Sequence, residues 1–511
     1  MSSDVTRRDF IKIAGSTAAG IAVATTWSPF AYAANEKVRV ACIGTGGQGG
    51  FHIRNGLGLC PEVEIVAICD VYLQNQNEAW KIAGGEKKDI KRYYDYKRML
   101  DEMKDGIDAV VIATPLYTHF QITMDCLDAG KFVFCEKTLA YTVDECRQVV
   151  EKCHEKGTWL QVGHQRRYNP EYNKAVWLAR GSDTRQSVVG RINHVNAQWH
   201  RNNDWRRPVP ADYVLNEEEK PYITEGLEKH LNWRLYHERS RGGLITELAT
   251  HQLDVTAWAL GQMPARVAAF GGIDYWRDGR TVDDNIVMLY EYDIKRTSGS
   301  FAQIPTRNDF QKRSEINKDY TVRLTYSSIC GNARRDYSEH IQGDRGSVLL
   351  TEQKGCTFYP EPAAKNAEKE WNKRQAPAAE AAKDAAGEAK KIVAGETRNY
   401  KDEAYELGTK ITVFDDRGEP FTNPLVVDRM QFTSFANDIR NNTVPKANQM
   451  VGLMSAVSGF AAVEAMEKGS TVEIDPALYA FDFETPDPFR YDFFEDPNFK
   501  KPAAKDATKA S

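Results

Sequence analysis

The chain has 511 residues, 41% of them hydrophobic, and sets 67 Lys and Arg against 72 Asp and Glu for a formal net charge of -5. That balance excludes an electrostatic case for nucleic acid or an anionic membrane surface as partner, and the length allows two or three domain cores. The nine cysteines, several of them inside apolar runs as Cys42, Cys69 and Cys135 are, read as buried thiols rather than a disulfide framework, with no CxxC pair and no zinc spacing.

The chain opens on TRRDFIK, Thr6 to Lys12, followed by a weakly apolar run from Ile11 to about Trp27 and the small-residue site Ala31-Tyr32-Ala33. A basic start, an apolar run and a cleavage site in that order read as an export signal over residues 1–33, too short and too rich in Gly, Ala and Thr for a membrane span. Arg7 and Arg8, followed by Asp9-Phe10-Ile11-Lys12, resemble the twin-arginine (Tat) leader, which implies export of an already folded protein to the periplasm or cell envelope. Its removal takes away three cations and two anions and leaves about -6 on the mature chain. No later segment reads as a membrane helix.

From Lys37 the run KVRVACIGTGGQGG is a β-branched strand that stops at glycines and passes into a helical pattern through Phe51, Ile53 and Leu57. Gly44, Gly46 and Gly49 fit GxGxxG, with Gly47 and Gln48 in the same turn: the glycines permit a tight turn, close approach of backbone to a pyrophosphate, and close packing of helix on strand. A second strand, EIVAICD, ends at Asp70, twenty-one residues after Gly49, where a carboxylate accepts ribose hydroxyls and repels a 2'-phosphate. The cofactor expected is therefore NAD rather than NADP. DAVVIAT (108–114), KFVFCEK (131–137) and WLQVGHQ (159–165) continue as buried strands separated by helices, an order that implies an α/β fold with a doubly wound parallel sheet over residues 34–163.

At this point the chain resembles the glucose-fructose oxidoreductase and inositol dehydrogenase family, Gfo/Idh/MocA. The resemblance covers most of residues 37–475 and rests on GTGGQGG, Asp70, ATPLYTH (113–119), CEKTLA (135–140), GHQRRYNP (163–170) and GGLITELATHQLD (242–254). It implies that Thr114, Pro115, His119, Glu136 and Lys137 stand beside the nicotinamide, that Lys137, Glu247 and His251 surround the substrate carbon, and that Arg167, Tyr168 and Asp254 contribute to the substrate site. Thr138 stands where the family usually has proline, and Glu247 where it has aspartate. The residues themselves agree with these roles: Glu247 and His251 are i and i+4, so the carboxylate is expected to orient the imidazole or hold its proton, and Asp254 follows three residues on. Oxidation of a sugar alcohol needs a base for the hydroxyl proton, and Lys137 or His251 are the candidates. No third group completes a metal site around Glu247 and His251.

After about Gln165 longer alternating runs (VNAQWH, RVAAFGGIDY, NIVMLYEYD, YTVRLTYSSIC, SVLLTEQKGCTFY, KITVFDD) predict a second, α+β domain over 164–475. Its sheet is open and mostly antiparallel, with helices near 247–260, 426–441 and 447–468. In family members one face of this sheet makes oligomer contacts, so a homo-oligomer is expected. WHRNNDWRRP (199–208) places Trp199, His200, Arg201, Trp205 and Arg206 on a loop, and aromatic faces beside fixed donors suit a polyhydroxylated ring. Residues 363–396, rich in Ala, Lys and Glu, read as an exposed helical insertion, and the acidic, aromatic tail from 476 as an extended segment over the surface, across a neighbouring subunit if one is present.

Three functions fit: an exported NAD-dependent oxidoreductase acting on the CH-OH group of a sugar or sugar derivative; a redox-neutral glycosidase that retains NAD; and a non-catalytic nucleotide-binding sensor. Tat leaders are typical of proteins that fold around a cofactor before export, so the cofactor is expected to be tightly held.

Overall fold

The computed structural model describes residues 37–180, 187–294, 319–351, 355–360 and 409–490. The export signal at 1–33 and the insertion at 363–396 lie outside these residues. A six-stranded parallel sheet is built from β1 (Val38–Ile43), β2 (Val63–Cys69), β3 (Lys91–Tyr93), β4 (Ala109–Ile112), β5 (Phe132–Cys135) and β6 (Leu160–Val162), in the order β3-β2-β1-β4-β5-β6. Helices cover both faces, so β4 and β5 are buried at every position and show no alternation. The strand order reverses between β1 and β4, which opens a crevice at their carboxyl ends where such sheets bind ligands. The helix Val143–Lys156 shows how local signals fix the elements: Thr142 and Glu145 form a reciprocal capping box, and Gly157 ends the helix in the left-handed region at φ 61°.

The second sheet contains nine strands: β7 (Ile192–His200), β8 (Arg266–Gly272), β9 (Asn285–Ile294), β10 (Tyr320–Ile329), β11 (Tyr337–Gly343), β12 (Gly346–Thr351), β13 (Gly355–Pro360), β14 (Thr409–Lys410) and β15 (Val472–Glu473). Their order is β14-β13-β12-β11-β7-β10-β9-β8-β15, antiparallel except for the β7–β10 pair. Helices Thr250–Leu260 and Gln449–Lys468 cover the inner face. The outer face leaves Phe270, Val287 and Leu289 exposed.

Three features differ from the sequence reading. Gln449–Lys468 is long and apolar enough to cross a membrane, although 83% of its most apolar window is buried inside the fold, where it packs on β8 and on Val143–Lys156. Helix Val426–Asn441, expected in the second domain, instead adds Phe432, Phe435 and Ile439 to the core of the parallel sheet. The tail as far as Arg490 clasps its own chain: Arg147 donates to the carbonyls of Ala477 and Leu478, Arg167 to that of Pro488 at 2.7 Å, and Trp258 to that of Arg490. All nine cysteines are buried and unpaired.

Candidate active site

β1 ends in a turn that only glycine permits. Gly44 sits at φ +79°, and a Cβ there would stand 2.6 Å from Thr114 Cγ2; a Cβ on Gly49 would stand 2.0 Å from the Gly44 carbonyl, so the helix Gly47–Asn55 presses directly on the strand end. Helix Gly47–Asn55 starts without a side-chain cap and Gly47 and Gln48 are exposed, leaving its first N–H groups open to an anion. Asp70 is buried beside the turn, its Oδ2 accepting from Thr45 N at 2.7 Å and its Oδ1 from Tyr72 N at 2.9 Å. Burial pushes its carboxyl up while these donors pull it down, and the net shift is upward. A ribose hydroxyl has to displace only the long contacts from Thr45 Oγ1 (3.3 Å) and Asn75 Nδ2 (3.4 Å). Tight turn, open N–H groups and flanking carboxylate fit the diphosphate and ribose of a nicotinamide dinucleotide.

Past β5, Glu136 and Lys137 follow on the crevice floor. Glu136 Oε1 is 2.8 Å from His52 Nε2, whose Nδ1 is 2.9 Å from Asp428, so an imidazole is held between two buried carboxylates. Burial opposes the charged ring, but Asp428 and Glu136 outweigh it and push His52 up to about 10; burial likewise opposes the charged Glu136, yet its carboxyl falls below the ordinary range. Neither His52 nor Asp428 was anticipated, since they lie 376 positions apart with no motif joining them. The Lys137–Thr138 peptide is cis, and Thr138 Oγ1 donates to Thr246 O at 3.0 Å. His119, expected at the nicotinamide, is instead buried behind the two turns, its ring nitrogens 2.8 Å from Thr138 O and 2.9 Å from Thr114 O. It braces the two turns.

Lys137 reaches across the crevice and donates from Nζ to the backbone carbonyl of Glu247 at 2.9 Å. The wide π-type turn Ile245–Ala249 carries Glu247 and leads into Thr250–Leu260, which carries His251. The expected Glu247–His251 contact does not form. Glu247 Oε2 accepts from Arg234 Nε at 2.7 Å, and burial of this carboxyl is outweighed by Lys137 and Arg234, which hold it below the ordinary range. Buried His251 has no hydrogen-bond partner at Nδ1 among the described residues; burial, then Lys137 and Arg166, hold the ring well below 6.5, so it is neutral at pH 7. Its ring lies 5.9 Å from that of Trp199, which with His200 ends β7 rather than standing on the expected loop. Trp205, at φ 62°, has the guanidinium groups of Arg201 (4.3 Å) and Arg234 (5.9 Å) over its ring.

Three expected substrate residues face elsewhere. Arg167 and Asp254 form a bidentate pair, Nη2 to Oδ1 at 2.6 Å, with both side chains almost wholly buried. The Tyr168 hydroxyl accepts from Ala447 N inside a small apolar cluster. These groups are satisfied in the core, where a substrate cannot reach them without leaving charges unpaired. Among the described residues no group of three metal-ligating side chains occurs.

Residues 38–164 match an oxidoreductase family's NAD-binding Rossmann fold, and residues 185–474 its C-terminal alpha/beta domain. Inositol 2-dehydrogenase of Rubrobacter xylanophilus is 32% identical over 35% of this chain and 49% of that protein; inositol 2-dehydrogenase 1 of Saccharopolyspora erythraea is 35% identical over 45% and 56%. The chain thus spans about half the length of these curated relatives. An inositol 2-dehydrogenase/D-chiro-inositol 3-dehydrogenase of Lactiplantibacillus plantarum is 23% identical over 61% of this chain and 85% of that protein. A levoglucosan dehydrogenase in complex with NADH superposes with a TM-score of 0.58 at 17% identity, covering 86% of this chain and all of that one, which is a likeness of fold.

Proposed function

Because the chain belongs to the Gfo/Idh/MocA oxidoreductase family, we propose that it is an exported enzyme transferring hydride between a hydroxyl-bearing carbon of a sugar or sugar derivative and a tightly held NAD. A bound nicotinamide supplies the hydride acceptor. The chain's own residues hold the rest of the reaction. The observation that carries the proposal is the neutral His251, its Nδ1 without a hydrogen-bond partner among the described residues, beside Lys137 at the end of the crevice that begins at the glycine turn. His251 takes the hydroxyl proton at its open Nδ1 as the hydride leaves, although burial, Lys137 and Arg166 oppose its charged form. Lys137, steadied by the Glu247 carbonyl, donates to the same substrate oxygen. Glu136, neutralised by His52, holds the Lys137 backbone N–H at 3.0 Å and so aims the side chain. Trp199, 5.9 Å from the His251 ring, stands beside the C–H side of a sugar ring held there, and the Arg201 guanidinium over Trp205 is a fixed donor for its hydroxyls.

The TRRDFIK leader supports the export assignment and with it a cofactor bound before translocation. The exposed apolar strip of Phe270, Val287 and Leu289 supports a homo-oligomer joined through the outer sheet. Protein purified from the cell envelope and mixed with a panel of sugars and 3-keto sugars should show absorbance changes of bound NAD(H) without added nicotinamide. Cleavage of a glycoside with no net change in NADH would replace the dehydrogenase reading with the redox-neutral glycosidase one. No response, and no dinucleotide bound or bindable, would refute both.

A further inference from the structure

The loop that leaves β7 after His200 and carries Trp205 continues to Arg207, whose guanidinium lies on the glycine turn of the other domain. A Cβ on Gly47 would stand 2.1 Å from its Nη2, and one on Gly46 3.9 Å from its Nη1. Its backbone is fixed by the buried Asn232, which accepts from Arg207 N at 2.6 Å and donates to Arg207 O at 3.1 Å. The side chain is half-buried and no carboxylate among the described residues pairs with it; burial and the neighbouring Arg234 hold it below the usual arginine range. A desolvated cation therefore faces the uncapped N-terminus of Gly47–Asn55, itself the positive end of a helix. Two positive features with only hydrogen-sized glycine side chains between them are unfavourable unless an anion lies there.

Between Arg207 and Asn232 the loop crosses onto the Rossmann domain and is pinned there. Glu219, fully buried, accepts from Leu73 N at 2.8 Å, and the Tyr213 ring meets Tyr72 edge-on at 5.0 Å. Tyr72 and Leu73 stand two and three residues after Asp70, so the pins flank the ribose carboxylate while Arg207 covers the diphosphate position.

We propose that Arg207 is the second domain's binding residue for the cofactor diphosphate, and that the pinned loop from Arg207 to Asn232 keeps the dinucleotide from exchanging. This rests on the nicotinamide-dinucleotide reading above. The test uses the full chain stripped of cofactor, with NADH titrated by fluorescence and ADP-ribose and adenosine by competition. Arg207→Gln should weaken NADH and ADP-ribose by about 10- to 100-fold, the range of a lost charge-assisted contact. It should also flatten the salt dependence and leave adenosine affinity and the melting temperature unchanged, and Arg207→Lys should recover part of the loss. Wild-type NADH affinity in Arg207→Gln would overturn the inference while leaving the dinucleotide reading intact. So would an equal loss for adenosine, which would mark Arg207 as a support for the loop rather than a diphosphate contact. A wild-type chain that binds neither NADH nor ADP-ribose would overturn the dinucleotide reading and this inference together.

Discussion

Glu247 turns its carboxylate to Arg234, Oε2 to Nε at 2.7 Å, and offers only its backbone carbonyl to Lys137, at 2.9 Å. The acid that the i,i+4 spacing assigns to His251 thus belongs to an arginine thirteen positions upstream. Replacing that arginine by glutamine leaves a buried carboxylate with Lys137 and the weaker influence of His119 to offset it, a destabilisation of about 1–3 kcal/mol. Burial, the largest influence on Glu247, then meets less opposition, so its carboxyl rises. A depressed folded pKa gives stability that is present above the ordinary carboxylate range and lost as pH falls through it, so the wild type should lose more stability on acidification than Arg234→Gln and the gap between their melting temperatures should narrow towards low pH; superimposable curves would deny the pair any role.

Lys137→Met and His251→Ala should each lower turnover by at least about a hundredfold, the scale of losing a positioned acid or base. Dinucleotide binding should survive in both, since neither side chain contacts the glycine turn. Steady-state kinetics beside NADH titration separates the two effects, and wild-type turnover in both variants would remove them from the site.

His52 titrates at about 10 in the folded chain against an ordinary 6.5, burial opposing and Asp428 and Glu136 prevailing. A raised folded pKa contributes stability that is fully present below 6.5 and lost as pH rises through about 10. The melting temperature of the wild type should therefore fall more steeply between pH 7 and 10 than that of His52→Gln. Parallel profiles would mean that the ring is neutral in the fold.

Asp70→Ala should weaken NAD more than NADP, because the carboxylate that accepts ribose hydroxyls also repels a 2'-phosphate. It also removes the acceptor for Thr45 N and Tyr72 N, so affinity for both dinucleotides falls. Equilibrium titrations with both cofactors read the ratio, and a wild type that already prefers NADP would contradict the assignment.

Ending the chain after Asp475 removes the Pro488 carbonyl from Arg167, which keeps Asp254, the Ala477 and Leu478 carbonyls from Arg147, and the Arg490 carbonyl from Trp258. Each buried donor left unpaired costs about 1–3 kcal/mol, so the truncated chain should melt well below the full one. Unchanged melting would make the tail a passive cover.

The sequence by itself determined the Rossmann half and the broad chemistry. Glycine spacing, fully apolar strands and the carboxylate after β2 are local signals, set by backbone sterics and by burial of a parallel sheet on both faces, and they survive any change in the surroundings. β3 escaped notice because three largely exposed residues carry no periodicity, and β11 because its polar run Tyr337–Gly343 gains its burial only from β7 and β12. Tertiary structure alone decided which charges meet. Arg167 with Asp254, His52 with Asp428 and Arg207 with the glycine turn join positions far apart in the chain. A buried ion takes whatever opposite charge packing brings within about 3 Å, so its partner is a property of the assembled fold rather than of spacing along the chain.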